Sequence, residues 1–175
     1  MAGSVTRQLT ASALVMLSDR RLVLLFHAKL GVHLYPGGHV EPHETPDEAI
    51  IREVAEETGL SVVLLGPSYP ELEDRAAGVF SLVTPYLVMC ERIGDPKQVP
   101  HDHIDLIYPC IVEDEEGADF GGLVLVRQND IGSLPTFPSF RELLYAIFAD
   151  ETLWQTAEMK RASLRRHPET AGELR

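Results

Sequence analysis

The strongest constraint in this chain is a helix whose two ends are both legible in the sequence. Thr45 stands where an N-cap belongs, Pro46 suits the first helical position, and Glu48 three residues on completes a capping box. Gly59 is placed to end the helix. At about 100° per residue, Glu53, Glu56 and Glu57 fall on one side, and Ile50, Ile51, Val54, Ala55 and Thr58 form a core-facing stripe on the other. Carboxylates about 7 Å apart repel by about 2 kcal/mol at an effective dielectric near 20. A hard divalent cation with oxygen ligands relieves that crowding. Taken alone, such a face also fits a solvated surface helix.

The flanking segments read as strands. Residues 9–17 and 22–27 form two, joined by a polar turn at Ser18-Asp19-Arg20, and a short segment over 32–35 enters the Pro36-Gly37-Gly38 turn. Further strands are predicted at 60–65, 86–91, 103–112 and 123–126. Ser139, with Glu142 three residues later, is predicted to cap a second helix running to about Phe148, with more helix through Trp154 and Met159. This order of strands and helices predicts an α/β fold, a mixed sheet with helices on its faces. One domain over residues 1–162 is expected, followed by a flexible tail over 163–175.

Residues 38–60, GHVEPHETPDEAIIREVAEETGL, set Gly38, Glu44, Arg52-Glu53-Val54, Glu56-Glu57 and Gly59-Leu60 at fixed intervals. The segment resembles the signature of the Nudix hydrolases at every specified position, with Pro36-Gly37 before it. The likeness covers roughly residues 8–150. It implies the Nudix fold, a mixed β-sheet sandwiched between α-helices (an α/β/α sandwich). It also implies a metal-dependent pyrophosphohydrolase that cleaves a nucleoside diphosphate-X compound by water attack on phosphorus. Glu53, Glu56 and Glu57 are thereby implied as ligands of Mg2+ or Mn2+, with the Gly38 carbonyl as a further ligand. Arg52 is implied as the residue that orients a catalytic glutamate, which its i,i+4 spacing to Glu56 makes reachable. Glu44 is implied as an outer acid near the metal, although helix N-terminal electrostatics also favour an acid there. Glu56 or Glu57 is the expected base. A nucleoside triphosphate is the preferred substrate, with nucleotide sugars and dinucleotides open. Two other activities share the resemblance: a Nudix-like nucleotide-binding regulator that does not hydrolyse, and an isopentenyl-diphosphate isomerase, for which no clear cysteine-plus-glutamate arrangement is visible.

A second constellation lies at residues 101–108, HDHIDLIY. In a strand, His101, His103 and Asp105 share one face and Ile104, Leu106 and Tyr108 the other. Such a face can bind a metal, supply a base or contact phosphates, or be merely wet. A subgroup of Nudix-like proteins with PGGHVE boxes is similar in carrying this strand. His39 and His43, inside the box, and Lys29, before it, are further candidates for substrate contact.

Charge narrows the partners. With 27 acidic against 15 basic residues the formal net charge is -12, which opposes long nucleic acids and anionic membranes. A small nucleotide-type diphosphate is the expected partner, for a monomer or homodimer. Cys90 and Cys110 are too few for a disulfide framework and are expected to be buried free thiols in a reducing cytoplasm. The acidic stretch 113–116 is expected to be a solvated loop, and Trp154 core.

Overall fold

The computed structural model describes residues 6–94 and 99–166. Its centre is a pair of long parallel strands, β1 (Thr6–Met16) and β7 (His101–Val112), in register from Thr6 opposite His101 to Met16 opposite Ile111. Each is long enough to take two shorter strands end to end along its outer edge. β1 receives β4 (Gly37–His39) at its middle, opposite Thr10 to Ser12, and β2 (Leu22–His27) at its last residues, both antiparallel. β7 receives β6 (Leu87–Ile93) along its first half and β5 (Val62–Leu64) near its end. β3 (Val32–Leu34) and β8 (Val124–Val126) complete, among the described residues, a mixed eight-stranded sheet by pairing with β2.

Helices cover both faces, giving the expected α/β/α sandwich. α1 (Pro46–Thr58) packs on one face through Ala49, Ile50 and Val54, against Ala11, Ala13 and Val15 of β1 and Tyr108 and Cys110 of β7. α2 (Pro138–Ala149) and α3 (Glu151–Arg166) cover the other through Phe140, Leu144, Ile147 and Trp154, against Leu14, Met16, Ile107 and Ile111. Successive strand residues point to opposite faces, so burial on both sides accounts for the near-continuous apolar run of residues 13–17. Trp154 is core, and its indole N–H donates to the Ile147 carbonyl at 3.0 Å.

Several expectations are corrected. The α1 stripe is narrower than helical spacing alone suggests: Ile51 and Ala55 are exposed, and Ala49 takes their place against the sheet. Ser139 lies inside α2, not at its cap; Phe137 is the N-cap, because Pro138 already supplies the first helical residue. Cys90 is exposed, since β6 is an edge strand and its odd residues turn toward the helical layer; Cys110 is buried. Glu115 is not a freely solvated acid. It accepts the Ser18 amide and hydroxyl at 3.0 and 2.7 Å and lies 3.4 Å from the buried Arg161 guanidinium. α3 continues through Arg166, and the remainder of the expected tail, 167–175, lies outside the described residues. No helix among the described residues is long and apolar enough to cross a membrane.

α2 and α3 cover only the last half of the sheet. On that same face the first half is polar. It carries Thr10 and Ser12 from β1, His101, His103 and Asp105 from β7, and Glu91 from β6.

Candidate active site

α1 begins as expected: Thr45 is the N-cap, and the Glu48 carboxylate reaches back to the Thr45 amide at 2.8 Å. Gly59 ends it in the left-handed conformation, φ 72°, which favours glycine. Between these ends Arg52 is the hub. Its Nε and Nη2 donate to the two oxygens of Glu44 at 3.0 and 2.7 Å, a bidentate pair. Nη1 donates to Glu53 at 2.9 Å and Glu56 at 3.1 Å, and Nη2 also reaches the His39 carbonyl at 3.1 Å. The Arg52 fork pulls the Glu44 carboxyl down to about 2, with the Glu41 amide adding to it.

The carboxylates are not equally exposed, contrary to a uniformly wet acidic face. Side-chain exposure is 9% for Glu44, 15% for Glu53 and 61% for Glu56. Glu57 stands apart from the fork and accepts the Gly37 amide at 3.0 Å. Partial desolvation holds its carboxyl above the usual range; the Gly37 N–H and His27 oppose this, while Glu53 and Glu56 add to it.

Gly38 has a steric reason to be glycine. A Cβ there would lie 2.4 Å from Glu53 Oε1 and 2.5 Å from its Cδ, so the carboxylate occupies the space a side chain would fill. Glu53 is thus clamped between Gly38 and Arg52. Carboxylates set against bare backbone are a donor set of hard oxygens, which fits Mg2+ or Mn2+. As the side chains stand, no three His, Cys, Asp or Glu among the described residues close around a common point tightly enough to hold an ion.

The second constellation is brought to the polar half of the sheet. His103 sits between His101, with Nε2 atoms 3.2 Å apart, and the edge of the His39 ring, with centroids 5.0 Å apart. His101 Nδ1 lies 2.9 Å from the Val99 carbonyl, which only accepts, so Nδ1 carries a proton. In the neutral ring Nε2 of His101 is then the acceptor and His103 Nε2 the donor. Burial, then the His39 and His101 charges, push the His103 pKa down, against Asp105. His39 further pairs with Gln8 at 2.9 Å. Asp105 is buried and committed to three hydroxyl donors: Thr10 at 3.0 Å, Ser12 at 2.9 Å and Tyr35 at 2.8 Å. Tyr35 meets Phe140 edge-on, which ties this network to α2. Lys29 is exposed in the turn after β2, and His43 lies in the loop before α1, 3.6 Å from Glu41.

Sequence reasoning did not single out Tyr35, Thr10, Ser12 or Glu91. Thr10 and Ser12 carried a signal, two hydroxyls at alternate positions of an otherwise apolar strand. For Glu91 no signal existed before the β6–β7 register was known. Neither thiol joins a carboxylate here, since Cys110 is locked in the α1-side core and Cys90 alternates away from Glu91.

Comparison with known proteins agrees with this fold and places the chain in a family. The profile of the NUDIX domain matches residues 6–109. A protein named "Probable DHNTP pyrophosphohydrolase" from Lactococcus lactis subsp. cremoris (strain MG1363) is 33% identical over 109 residues, 62% of this chain and only 57% of its own length. Among solved structures, a NUDIX-family hydrolase from Clostridium perfringens superposes with a TM-score of 0.64 at 26% identity, covering 82% of this chain and 97% of that one. A MutT protein from Methanosarcina mazei Go1 is similar in fold, with a TM-score of 0.54 at 18% identity over 85% of this chain and 97% of that one.

Proposed function

The chain belongs to the NUDIX domain family, and from that premise we propose that it is a metal-dependent pyrophosphohydrolase of small nucleotide-type substrates, nucleoside triphosphates foremost. The observation that carries this reading is the clamped Glu53: one carboxylate fixed between a guanidinium and a glycine that leaves room for it. The pyrophosphohydrolase activity in the name of the Lactococcus relative supports it, and the net charge of -12 favours a small substrate over a polymer. Two unpaired cysteines suit a reducing cytoplasm.

Gly38, Glu53, Glu56 and Glu57 are the residues that would hold Mg2+ or Mn2+. When bound, such an ion neutralises diphosphate oxygens and makes water more acidic. Arg52 is a positioning residue: it fixes Glu53 and Glu56 and, through Glu44 and the His39 carbonyl, ties α1 to the β4 loop. Glu57 is the better placed of the two candidate bases. One of its oxygens accepts Gly37 N–H, its carboxyl holds a proton more readily than usual, and Glu56 is engaged by Arg52.

The test is a panel of nucleoside triphosphates, nucleotide sugars and dinucleotides, incubated with magnesium or manganese and with chelator. Turnover is expected only with metal, and Glu57→Gln is expected to lose about two orders of magnitude. Tight nucleotide binding without turnover by the intact protein would replace this reading with that of a regulator.

A further inference from the structure

Resting on the proposed hydrolysis, we propose that Glu91 is a specificity-determining residue that reads a 2-amino-4-oxopyrimidine ring, the fused ring of guanine or of a pterin, on the uncovered polar half of the sheet. Glu91 projects from β6 to the same face as Met89 and Leu87, which pack toward α2 and α3, and stands opposite His103 in the β6–β7 register. It is partly buried, and no hydrogen-bond donor among the described residues meets its carboxylate. Its neighbour Asp105 differs sharply, having three hydroxyls of its own. Burial and then the Asp105 charge hold the Glu91 carboxyl above the usual carboxylate range. A partly desolvated carboxylate without donors is costly unless a ligand supplies them.

The required ligand edge follows from the acceptor. A carboxylate offers two parallel lone-pair directions and takes two adjacent N–H donors best. A 2-amino-4-oxopyrimidine presents that pair, a ring N–H beside an exocyclic amine. Adenine presents a ring lone pair beside its amine, which would face the carboxylate oxygen, and hypoxanthine lacks the amine. The span also fits. From Gly38 on β4 to Glu91 on β6 the sheet crosses three strand spacings, about 14 Å, and, because Gly38 lies opposite Ala11 and Glu91 is level with Gln8, three residues along the strands, about 10 Å, a span of about 17 Å. An extended triphosphate with its ring covers that distance, passing over His39 and His103 and rounding the β4 edge, where Glu57 meets the Gly37 amide, to leave the diphosphate at the box carboxylates on the α1 side.

The deciding measurement is kcat/KM for GTP, ITP, ATP and dihydroneopterin triphosphate, on the wild type and on Glu91→Gln, which turns one acceptor into a donor without changing size. Wild type is expected to prefer GTP over ITP at least about tenfold, and the ratio is expected to fall to near one in Glu91→Gln. A preference between GTP and the pterin triphosphate identifies the source of the ring, and either supports the assignment. A wild-type GTP/ITP ratio near one, or a ratio unchanged by the substitution, overturns it while leaving hydrolysis intact. If no compound is turned over, the hydrolase reading fails separately. Calorimetric binding of methylene-bridged GTP and ITP analogues then applies the same ratio test to Glu91.

Discussion

Replacing Gly38 with alanine separates the chemistry of the site from the stability of the fold. The new Cβ would lie 2.4 Å from Glu53 Oε1, against an ordinary contact that begins at 3.4 Å, so the carboxylate must retreat by about 1.0 Å (3.4 − 2.4). The obstructing atoms are the end of a flexible side chain, so the fold relaxes cheaply, by less than about 1 kcal/mol. For a chain of this size that is a melting shift of only about 2–4 °C. Activity has no such slack. Glu53 is pinned by Arg52 at 2.9 Å, and misplacing a positioning group by about 1 Å costs about 100-fold in rate. Gly37→Ala is the control with the opposite outcome. Its Cβ would meet the Ala11 carbonyl oxygen at 2.5 Å and Ser12 Cα at 2.8 Å, backbone that cannot move without breaking the β1–β4 pairing. Overpacking of that kind costs about 1–3 kcal/mol. Magnesium-dependent phosphate or pyrophosphate release, paired with thermal denaturation, reads both quantities. Gly38→Ala with wild-type turnover would refute the claim that Glu53 must sit against residue 38.

Three further outcomes are expected. Arg52→Lys keeps the charge but loses the fork that holds Glu44 and the His39 carbonyl, so steady-state kcat should fall by roughly 10–100-fold. Glu44 is depressed to about 2 in the folded chain, so its stabilising effect is complete above its unfolded value and is lost as pH falls toward 2. Urea unfolding between about pH 5 and about pH 2 should show that loss in the wild type and a weaker one in Arg52→Gln. A thiol reagent should modify Cys90 in the native protein and reach Cys110 only after denaturation, because burial both covers the second thiol and pushes its pKa up.

How much of this was legible beforehand depends on the range of the signal. α1 was read to its first and last residue because Thr45, Pro46, Glu48 and Gly59 act locally, within a turn or two. The strand cores were found from apolar runs, but the start of β1 at Thr6 was not, since residues 6–8 are polar and gain strand structure only by pairing with β7. Ile51 and Ala55 were misplaced for a related reason: helical periodicity gives an angle, and the neighbouring layer decides how wide a face is covered. His101, His103 and Asp105 were correctly set on one face by the period of two. What they meet there was invisible, because Tyr35, Thr10 and Glu91 arrive from three other segments of the chain.

Electrostatics at the Arg52 hub lead to one more expectation. One guanidinium contacts three carboxylates, Glu44, Glu53 and Glu56, leaving two negative charges unbalanced (3 − 1 = 2), with Glu57 on the same helix edge. The folded chain therefore carries repulsion that Arg52 relieves only in part. Unfolding would let these groups separate, so a cation that binds the folded arrangement should raise stability. At a free magnesium concentration near a hundred times its dissociation constant the gain is about 2.7 kcal/mol. That corresponds to roughly 5–11 °C in melting temperature for a domain of this size. Glu53→Gln, which removes one charge while keeping the contact with Gly38, should melt higher than the wild type in chelator and respond less to magnesium. Differential scanning calorimetry across a magnesium titration makes the comparison without any substrate. A wild-type transition that stays flat throughout, or a Glu53→Gln transition that rises as steeply as the wild type, would mean that the carboxylates of α1 do not act together as the cation site.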